Sequence, residues 1–317
     1  MTRVVILDDY QNVALEMGQW DRLPAGTEVV NFTDHLTDED AIAARLAGFD
    51  VVMVNRERTP LTASLLGKLP DLKLIVTAGM KNASIDVAAA NARGITVCGA
   101  RSLSNPTPEL TWGLILALFR RLPLEDRNVR EGRWQTTVGR TVDGKVLGVI
   151  GLGRLGTPVA KVGLAFGMQV IAWSPNLTDA RAEEHGVARA NKDELFRRAD
   201  IVTIHMPLSE RSRGLVGAAD LALMKPSAVL VNTSRGPIVD EAALIDALES
   251  GRIAGAALDV YDVDPLPDDH PFRRLPNTVV TPHIGYVTEE NYRLNFADAA
   301  DLIAAWLKGA PVRTLEP

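Results

Sequence analysis

Cysteine is almost missing from this chain: Cys98 is the only one in 317 residues. That excludes an intramolecular disulfide framework and a thiolate metal cluster, so no metal is expected, and a reducing cytoplasm suits the composition. A surplus of positive charge is missing too. With 34 Lys and Arg against 40 Asp and Glu the formal net charge is −6, which argues against a general binder of nucleic-acid phosphates. Long apolar runs are absent: LTWGLILALF at 110–119 reaches about half of the ~20 residues a bilayer span needs. It reads as a buried helix, and no membrane partner is expected. The opening MTRVVILDDY meets two aspartates too soon to be a secretory segment. No stretch is low in complexity, and no period of roughly 20–50 residues repeats.

What is present is the composition of a soluble globule, hydrophobic 46% and charged 23%, at a length that favours two domains. Short apolar runs recur with amphipathic stretches between them. The first set is VVIL (4–7), VVMV (51–54), LKLIV (72–76) and ITVC (95–98). The second is VLGVIG (146–151), QVIAW (169–173), IVTIH (201–205), AVLVN (228–232), AALDV (256–260) and TVVTP (278–282). Strands that are apolar throughout, rather than alternating, are what a parallel sheet covered on both faces produces. Strand and helix alternate, so the fold class is α/β, with two doubly wound, Rossmann-like parallel-sheet domains. The stretch TDEDAIAARLAGF (37–49) predicts a helix opened by Thr37, with acidic residues in its first turn. CGARSLSNPTPEL (98–110) interrupts the pattern and marks the boundary, with a helix over 108–120 beginning the second domain. TEENYRLNFADAADLIAAWLKG (288–309) predicts one long amphipathic helix capped by Thr288.

Residues 148–156 read GVIGLGRLG. Gly151, Gly153 and Gly156, with Arg154 and Leu155 among them, follow a predicted strand, and a helix opens behind with Pro158 in its first turn. That context turns a weak G-x-G-x-x-G pattern into a dinucleotide fingerprint. The glycines permit the turn, the approach of a pyrophosphate and helix-on-strand packing. The fingerprint also calls for an acidic residue about 20 positions on. Ser174 stands there instead, so a 2′-phosphate meets no repulsion, and NAD and NADP both remain open.

Polar residues then fall at the carboxyl ends of successive late strands: Arg235 in NTSRGPIVDE, Asp259 and Asp264 in LDVYDVDP, and His283 in TPHIG. Ligands of open parallel sheets bind there. A guanidinium grips a carboxylate as a fork, an imidazole gives and takes a proton near neutrality, and a carboxylate behind it fixes its orientation. The set suits a small anionic substrate that exchanges a proton. The remaining histidines, His35, His185 and His270, lie in segments without convergent polar partners and are assigned no function. Trp112, Trp134 and Tyr286 are expected to pack or to form an interface.

The stretches GLGRLG, IHMPLSERSRGLVG, MKPSAVLVNTSRGPIVDEAAL, AALDVYDVDPLP, NTVVTPHIG and TAGMKNASIDVAAANARGI together resemble the D-isomer-specific 2-hydroxyacid dehydrogenase family, over nearly the whole chain. The resemblance implies a discontinuous, flavodoxin-like substrate domain, 1–101 plus 284–317, and an NAD(P)-binding Rossmann domain, 102–283. It implies hydride transfer between NAD(P)H and a small 2-oxo acid, of the glyoxylate or hydroxypyruvate type, in a cytoplasmic homodimer. Arg235 takes the place of the family's substrate arginine and His283 that of its acid/base. Asp259 falls where the nicotinamide carboxamide is held, His205 and Pro207 on the loop beside the cofactor, Thr233 on the wall facing the nicotinamide, and Gly285 just past the histidine. Gly79, Met80 and Lys81 match the loop that offers backbone N–H groups to the substrate carboxylate, while Arg56 and Arg58 border the cleft. Two positions depart from the family pattern. Lys81 replaces a glycine, and Asp264 stands where glutamate is usual. The shorter acid would need the backbone to come closer to His283 by roughly an ångström. Three outcomes stay open: the loop adapts, a water bridges, or the histidine is less well supported; Asp262 is a less favoured substitute. The competing reading is a dinucleotide-sensing binding protein on the same scaffold, like the corepressors related to this family. A 3-phosphoglycerate dehydrogenase is less expected, since the sequence stops soon after the closing helix.

Overall fold

Two parallel sheets organise the chain, and both follow from where its β-branched runs can be buried. The structure, a computed structural model, describes residues 1–316. The first sheet contains β1 (Arg3–Ile6), β2 (Glu28–Asn31), β3 (Val51–Val54), β4 (Leu74–Ala78) and β5 (Thr96–Ala100), in the order β2-β1-β3-β4-β5. The second contains β6 (Val146–Ile150), β7 (Gln169–Trp173), β8 (Ala188–Arg189), β9 (Ile201–Ile204), β10 (Val229–Asn232), β11 (Gly255–Leu258) and β12 (Thr278–Val280), in the order β12-β11-β10-β9-β6-β7-β8. Every pairing between these strands is parallel.

Alternate residues of one strand serve opposite faces of the second sheet. Ile150, Val202, Ile204, Leu230, Ala256 and Leu258 join one core, while Leu147, Val149, Ile201, Val229, Val231 and Ala257 join the other. Both faces are covered, so the runs read as almost wholly apolar, and the few polar residues within them, such as Thr203 and Asn232, are buried. β6 lies at the point where the strand order reverses, paired with β7 on one side and β9 on the other. An open α/β sheet binds its ligand beyond the carboxyl ends of such a pair.

The strands fall into two compact units, Ser104–Tyr286 and Met1–Leu103 together with the stretch that begins at Val287. In the discontinuous unit the helix Glu289–Leu307 packs on β4 and β5. Its Thr288 cap accepts from the Asn291 amide at 3.3 Å. Asp298 on that helix is 1% exposed and accepts from the Arg101 amide at 2.8 Å, from Arg101 Nε at 2.7 Å and from an Arg313 guanidinium nitrogen at 2.7 Å. A polar seam therefore sews the two pieces of this unit together.

Three details differ from the sequence expectation. The helix expected over 37–49 runs Glu39–Leu46, and Asp38 rather than Thr37 caps it, accepting from the Ala41 amide at 2.9 Å. β2 and β8 have no counterpart among the expected strands. Both are edges of their sheets, β2 half-buried and β8 exposed, so neither needs a continuous apolar run. Among the described residues no helix is long and apolar enough to cross a membrane.

Candidate active site

The loop after β6 sits against the loop after β9. A Cβ on Gly151 would meet the His205 carbonyl oxygen at 2.6 Å, and Gly151 also has φ +97°, which an L side chain rarely adopts. A Cβ on Gly156 would meet the Gly151 carbonyl oxygen at 2.0 Å. Gly153 is different: a Cβ there meets nothing within 4 Å. Two glycines thus close the turn, and the middle one leaves its outer side bare at the start of the helix Gly156–Ala165. These residues fit a dinucleotide pyrophosphate. Arg154 beside them is exposed and Leu155 half-buried. Ser174, past the end of β7, accepts from the Leu152 amide at 3.2 Å and so braces the same loop. His205 directly follows the neighbouring strand, β9. Burial pushes its imidazole down to about 3, so the ring is neutral at neutral pH; Nε2 lies 3.0 Å from Thr203 Oγ1. Pro207 is exposed, and its carbonyl accepts from Ser212 Oγ at 2.7 Å.

Beyond β10 the chain turns on Asn232, whose Oδ1 accepts from the Ser234 amide at 3.0 Å and whose amide nitrogen donates to the Arg235 carbonyl at 2.9 Å. The Arg235 guanidinium donates to the Ser234 carbonyl at 2.6 Å. Gly236 follows because a Cβ there would fall 2.0 Å from the Tyr261 carbonyl group. The loop carrying Arg235 therefore lies directly on the loop carrying Asp264.

Asp259, 1% exposed at the end of β11, holds the histidine loop. Oδ1 accepts from Thr281 Oγ1 at 2.6 Å and the Ile284 amide at 2.8 Å, and Oδ2 accepts from the Gly285 amide at 2.8 Å. Burial pushes its carboxyl up, against the pull of those donors. Between the pinned residues His283 takes φ 54°, a left-handed backbone that costs a non-glycine residue about 1–3 kcal/mol and is found where surroundings over-determine it. His283 Nδ1 reaches Asp264 Oδ2 directly, at 2.7 Å. Of the outcomes left open by the sequence, the loop adapts; the Asp264–Pro265 peptide on it is cis. Tyr286 meets the His283 ring edge-on, with centroids 5.8 Å apart.

Sequence reasoning missed a chain of threonines behind these groups. Thr107 Oγ1 donates to the Gly285 carbonyl at 2.9 Å, and Thr111 Oγ1 donates to the Thr107 carbonyl at 2.8 Å. Thr111 has one hydroxyl proton, so Thr233 Oγ1, 2.8 Å away, is the donor between them. No pattern in the sequence marks such a chain, because Thr111 and Thr233 are 122 residues apart and Thr107 and Gly285 are 178 apart. Two of the three histidines set aside have partners after all: His35 Nδ1 lies 2.8 Å from Asp8 Oδ1 and His270 Nε2 lies 3.0 Å from Glu241 Oε1.

In the other unit, the loop after β4 begins at Gly79, whose φ is +91° and whose Cβ would meet Arg56 at 2.4 Å. Met80 and Lys81 are exposed there. Arg56 donates to the Ala78 carbonyl at 3.1 Å, and Arg58 donates to the Asp8 carbonyl at 2.7 Å.

Residues 112–285 match the sequence pattern of the D-isomer specific 2-hydroxyacid dehydrogenase NAD-binding domain. The D-3-phosphoglycerate dehydrogenase of Archaeoglobus fulgidus is 40% identical over 266 residues, which cover 82% of this chain and 50% of that protein. The glyoxylate reductase of Aeropyrum pernix is 39% identical over 260 residues, 78% of this chain and 77% of that protein. A crystal structure of phosphoglycerate oxidoreductase from Vibrio cholerae superposes with a TM-score of 0.94 at 37% identity, covering 98% of this chain and 100% of that one. The chain spans about half the length of the phosphoglycerate dehydrogenases it matches. A parallel sheet with its glycine loop at the strand reversal, and a likeness to these proteins across most of the sequence, lead to one conclusion: the chain belongs to the D-isomer specific 2-hydroxyacid dehydrogenase family.

Proposed function

We propose that this chain interconverts a small 2-oxo acid and the corresponding D-2-hydroxy acid with NAD or NADP, in the manner of a glyoxylate or hydroxypyruvate reductase. The observation that carries the reading is the 2.7 Å contact from His283 Nδ1 to Asp264 Oδ2. It fixes the proton on Nδ1 of the neutral ring, leaves Nε2 for substrate, and stabilises the imidazolium. In the reduction direction His283 delivers the Nε2 proton to the oxygen of the carbonyl being reduced. Arg235 binds the substrate carboxylate and polarises that carbonyl. Gly79, Met80 and Lys81 take a share of the carboxylate. A bound nicotinamide dinucleotide supplies the two electrons, as hydride. Gly151, Gly153, Arg154, Leu155 and Gly156 seat its pyrophosphate, and Ser174 meets its adenosine ribose. His205, Pro207, Thr233, Asp259 and Gly285 border its nicotinamide end. With a hydroxyl in place of a carboxylate at 174, both dinucleotides are accepted.

The test is oxidation of NADH and of NADPH with glyoxylate, hydroxypyruvate, phenylpyruvate and 3-phosphohydroxypyruvate. Turnover is expected with at least one of the first two, and His283→Ala lowers kcat by about 10²-fold or more while leaving dinucleotide affinity within about twofold. Tight dinucleotide binding without oxidation of any acid would overturn the reading in favour of a sensor. We also propose a homodimer. Trp134 is 76% and Val138 94% exposed on the irregular stretch 131–141 of the second unit, and a second copy would cover them. Sedimentation at the mass of a single 34.3 kDa chain would refute it.

A further inference from the structure

Asp264 stands on a poor foundation. From Asp259 to His270 no residue is in a helix or strand. Val260 and Tyr261 before Asp264 are buried and Leu266 after it packs against the core, whereas Val263 beside it is 59% exposed, so apolar burial anchors the loop on either side but not at Asp264 itself. An aspartate has a short side chain, and a 2.7 Å contact to His283 therefore demands that its backbone be held.

Glu241 supplies two of the ties. It is the first residue of the helix Glu241–Glu249, a rigid base capped by Asp240, which accepts from the Ala243 amide at 3.0 Å. Glu241 Oε2 accepts from the Asp262 amide at 3.2 Å, two residues before Asp264. Glu241 Oε1 lies 3.0 Å from His270 Nε2, at the far end of the loop. His270 Nδ1 accepts from the Phe272 amide at 3.3 Å. That bond requires Nδ1 to be bare, which places the ring proton on Nε2 and makes His270 the donor to Glu241. Both partners are largely buried, with side chains 13% and 22% exposed. One carboxylate thus clasps both limbs of the loop, and Arg273 holds the span between them by donating to the Pro267 carbonyl at 2.8 Å and the Leu266 carbonyl at 2.5 Å. Asp240, Asp262, Arg213 and Arg273 are charged groups near the clasp; Glu241 is the acceptor for the Asp262 amide and for His270 Nε2.

We propose that Glu241 and His270 are positioning residues: their clasp sets the distance from Asp264 to His283 and thereby the orientation and proton affinity of the acid/base. The kinetic consequence rests on the function proposed above; the geometric one does not.

The experiment compares the full-length chain with Glu241→Ala, Glu241→Gln, His270→Gln, Asp264→Asn and the double variant Glu241→Ala/Asp264→Asn. In ¹⁵N-labelled protein the His283 Nδ1–H resonance of the contact to Asp264 is expected to be seen in the parent and lost or shifted in Glu241→Ala. With glyoxylate, kcat is expected to fall roughly tenfold, less than the ~10²-fold cost of losing a general acid, while KM stays within about twofold. The limb of the kcat–pH profile set by His283 moves in the same direction as in Asp264→Asn. Glu241→Gln, which keeps one accepting oxygen, falls between. The double variant is no slower than Asp264→Asn alone, because both changes break one unit. Losses that multiply, or an unchanged His283 resonance and pH profile, overturn the proposal. Should Glu241→Ala not fold, His270→Gln carries the same arms. Should the parent reduce no acid, the proposed function fails, and the resonance alone decides on the clasp.

Discussion

His205 shows how one side chain can make the whole chain acid-sensitive. Its imidazole is buried, held neutral, and titrates at about 3 in the folded state against 6.5 ordinarily. Between those values the unfolded chain binds a proton that the folded chain does not, so stability is full above pH 6.5 and is lost as pH falls toward 3. Each unit of pH in that window costs about 1.4 kcal/mol. His205→Gln has no such group, and urea midpoints measured from pH 7 to pH 4 should show the variant gaining on the parent as the medium becomes more acidic. A difference independent of pH would refute this. At this scale sequence is a good guide to residue type and a poor one to partnership. Arg235, Asp259 and His283 are recognisable because each lies just past the carboxyl end of an apolar run. Whether Asp264 touches His283 depends on the backbone path of an irregular loop, which carries no periodicity. The same holds for His270 and Glu241, 29 residues apart.

Among the elements, strands buried on both faces were legible from composition. QVIAW is a strand over the residues expected, and VVMV likewise. β2 and β8 were not legible, because an edge strand needs neither two apolar faces nor length. The loop–helix junction after β6 was legible as a motif, and the structure divides its glycines by physical task. Gly156→Ala forces a Cβ to within 2.0 Å of a backbone oxygen, an overpacking that should cost about 1–3 kcal/mol and disorder the start of the helix. Gly153→Ala meets no atom within 4 Å, so its melting temperature should match the parent while its affinity for NADH falls. Calorimetric melting and dinucleotide titration of the two variants check this; an unstable Gly153→Ala with normal affinity would reverse the assignment.

For the molecule as a whole, the polar seam at Asp298 matters most. Replacing Asp298 with Ala removes the acceptor of the Arg101 amide and of both guanidiniums; the Arg101 and Arg313 side chains are 60% and 33% exposed and regain water, so the discontinuous unit should lose about 1–3 kcal/mol. Hydrogen exchange should then quicken in β4 and β5 and stay slow in β6, β9 and β10; equal quickening in both sheets would show that the seam is not local to its unit. The interruption of that unit also has a meaning in time. A ribosome finishes β1 through β5, then emits Ser104–Tyr286, 183 residues counted from 104 to 286, before the helix that packs on β4 and β5 exists. At about 5–20 residues per second the delay is roughly 10–40 s. The unit begun second is therefore the first to be complete on the ribosome, and the five-stranded sheet goes without its last helix for that interval.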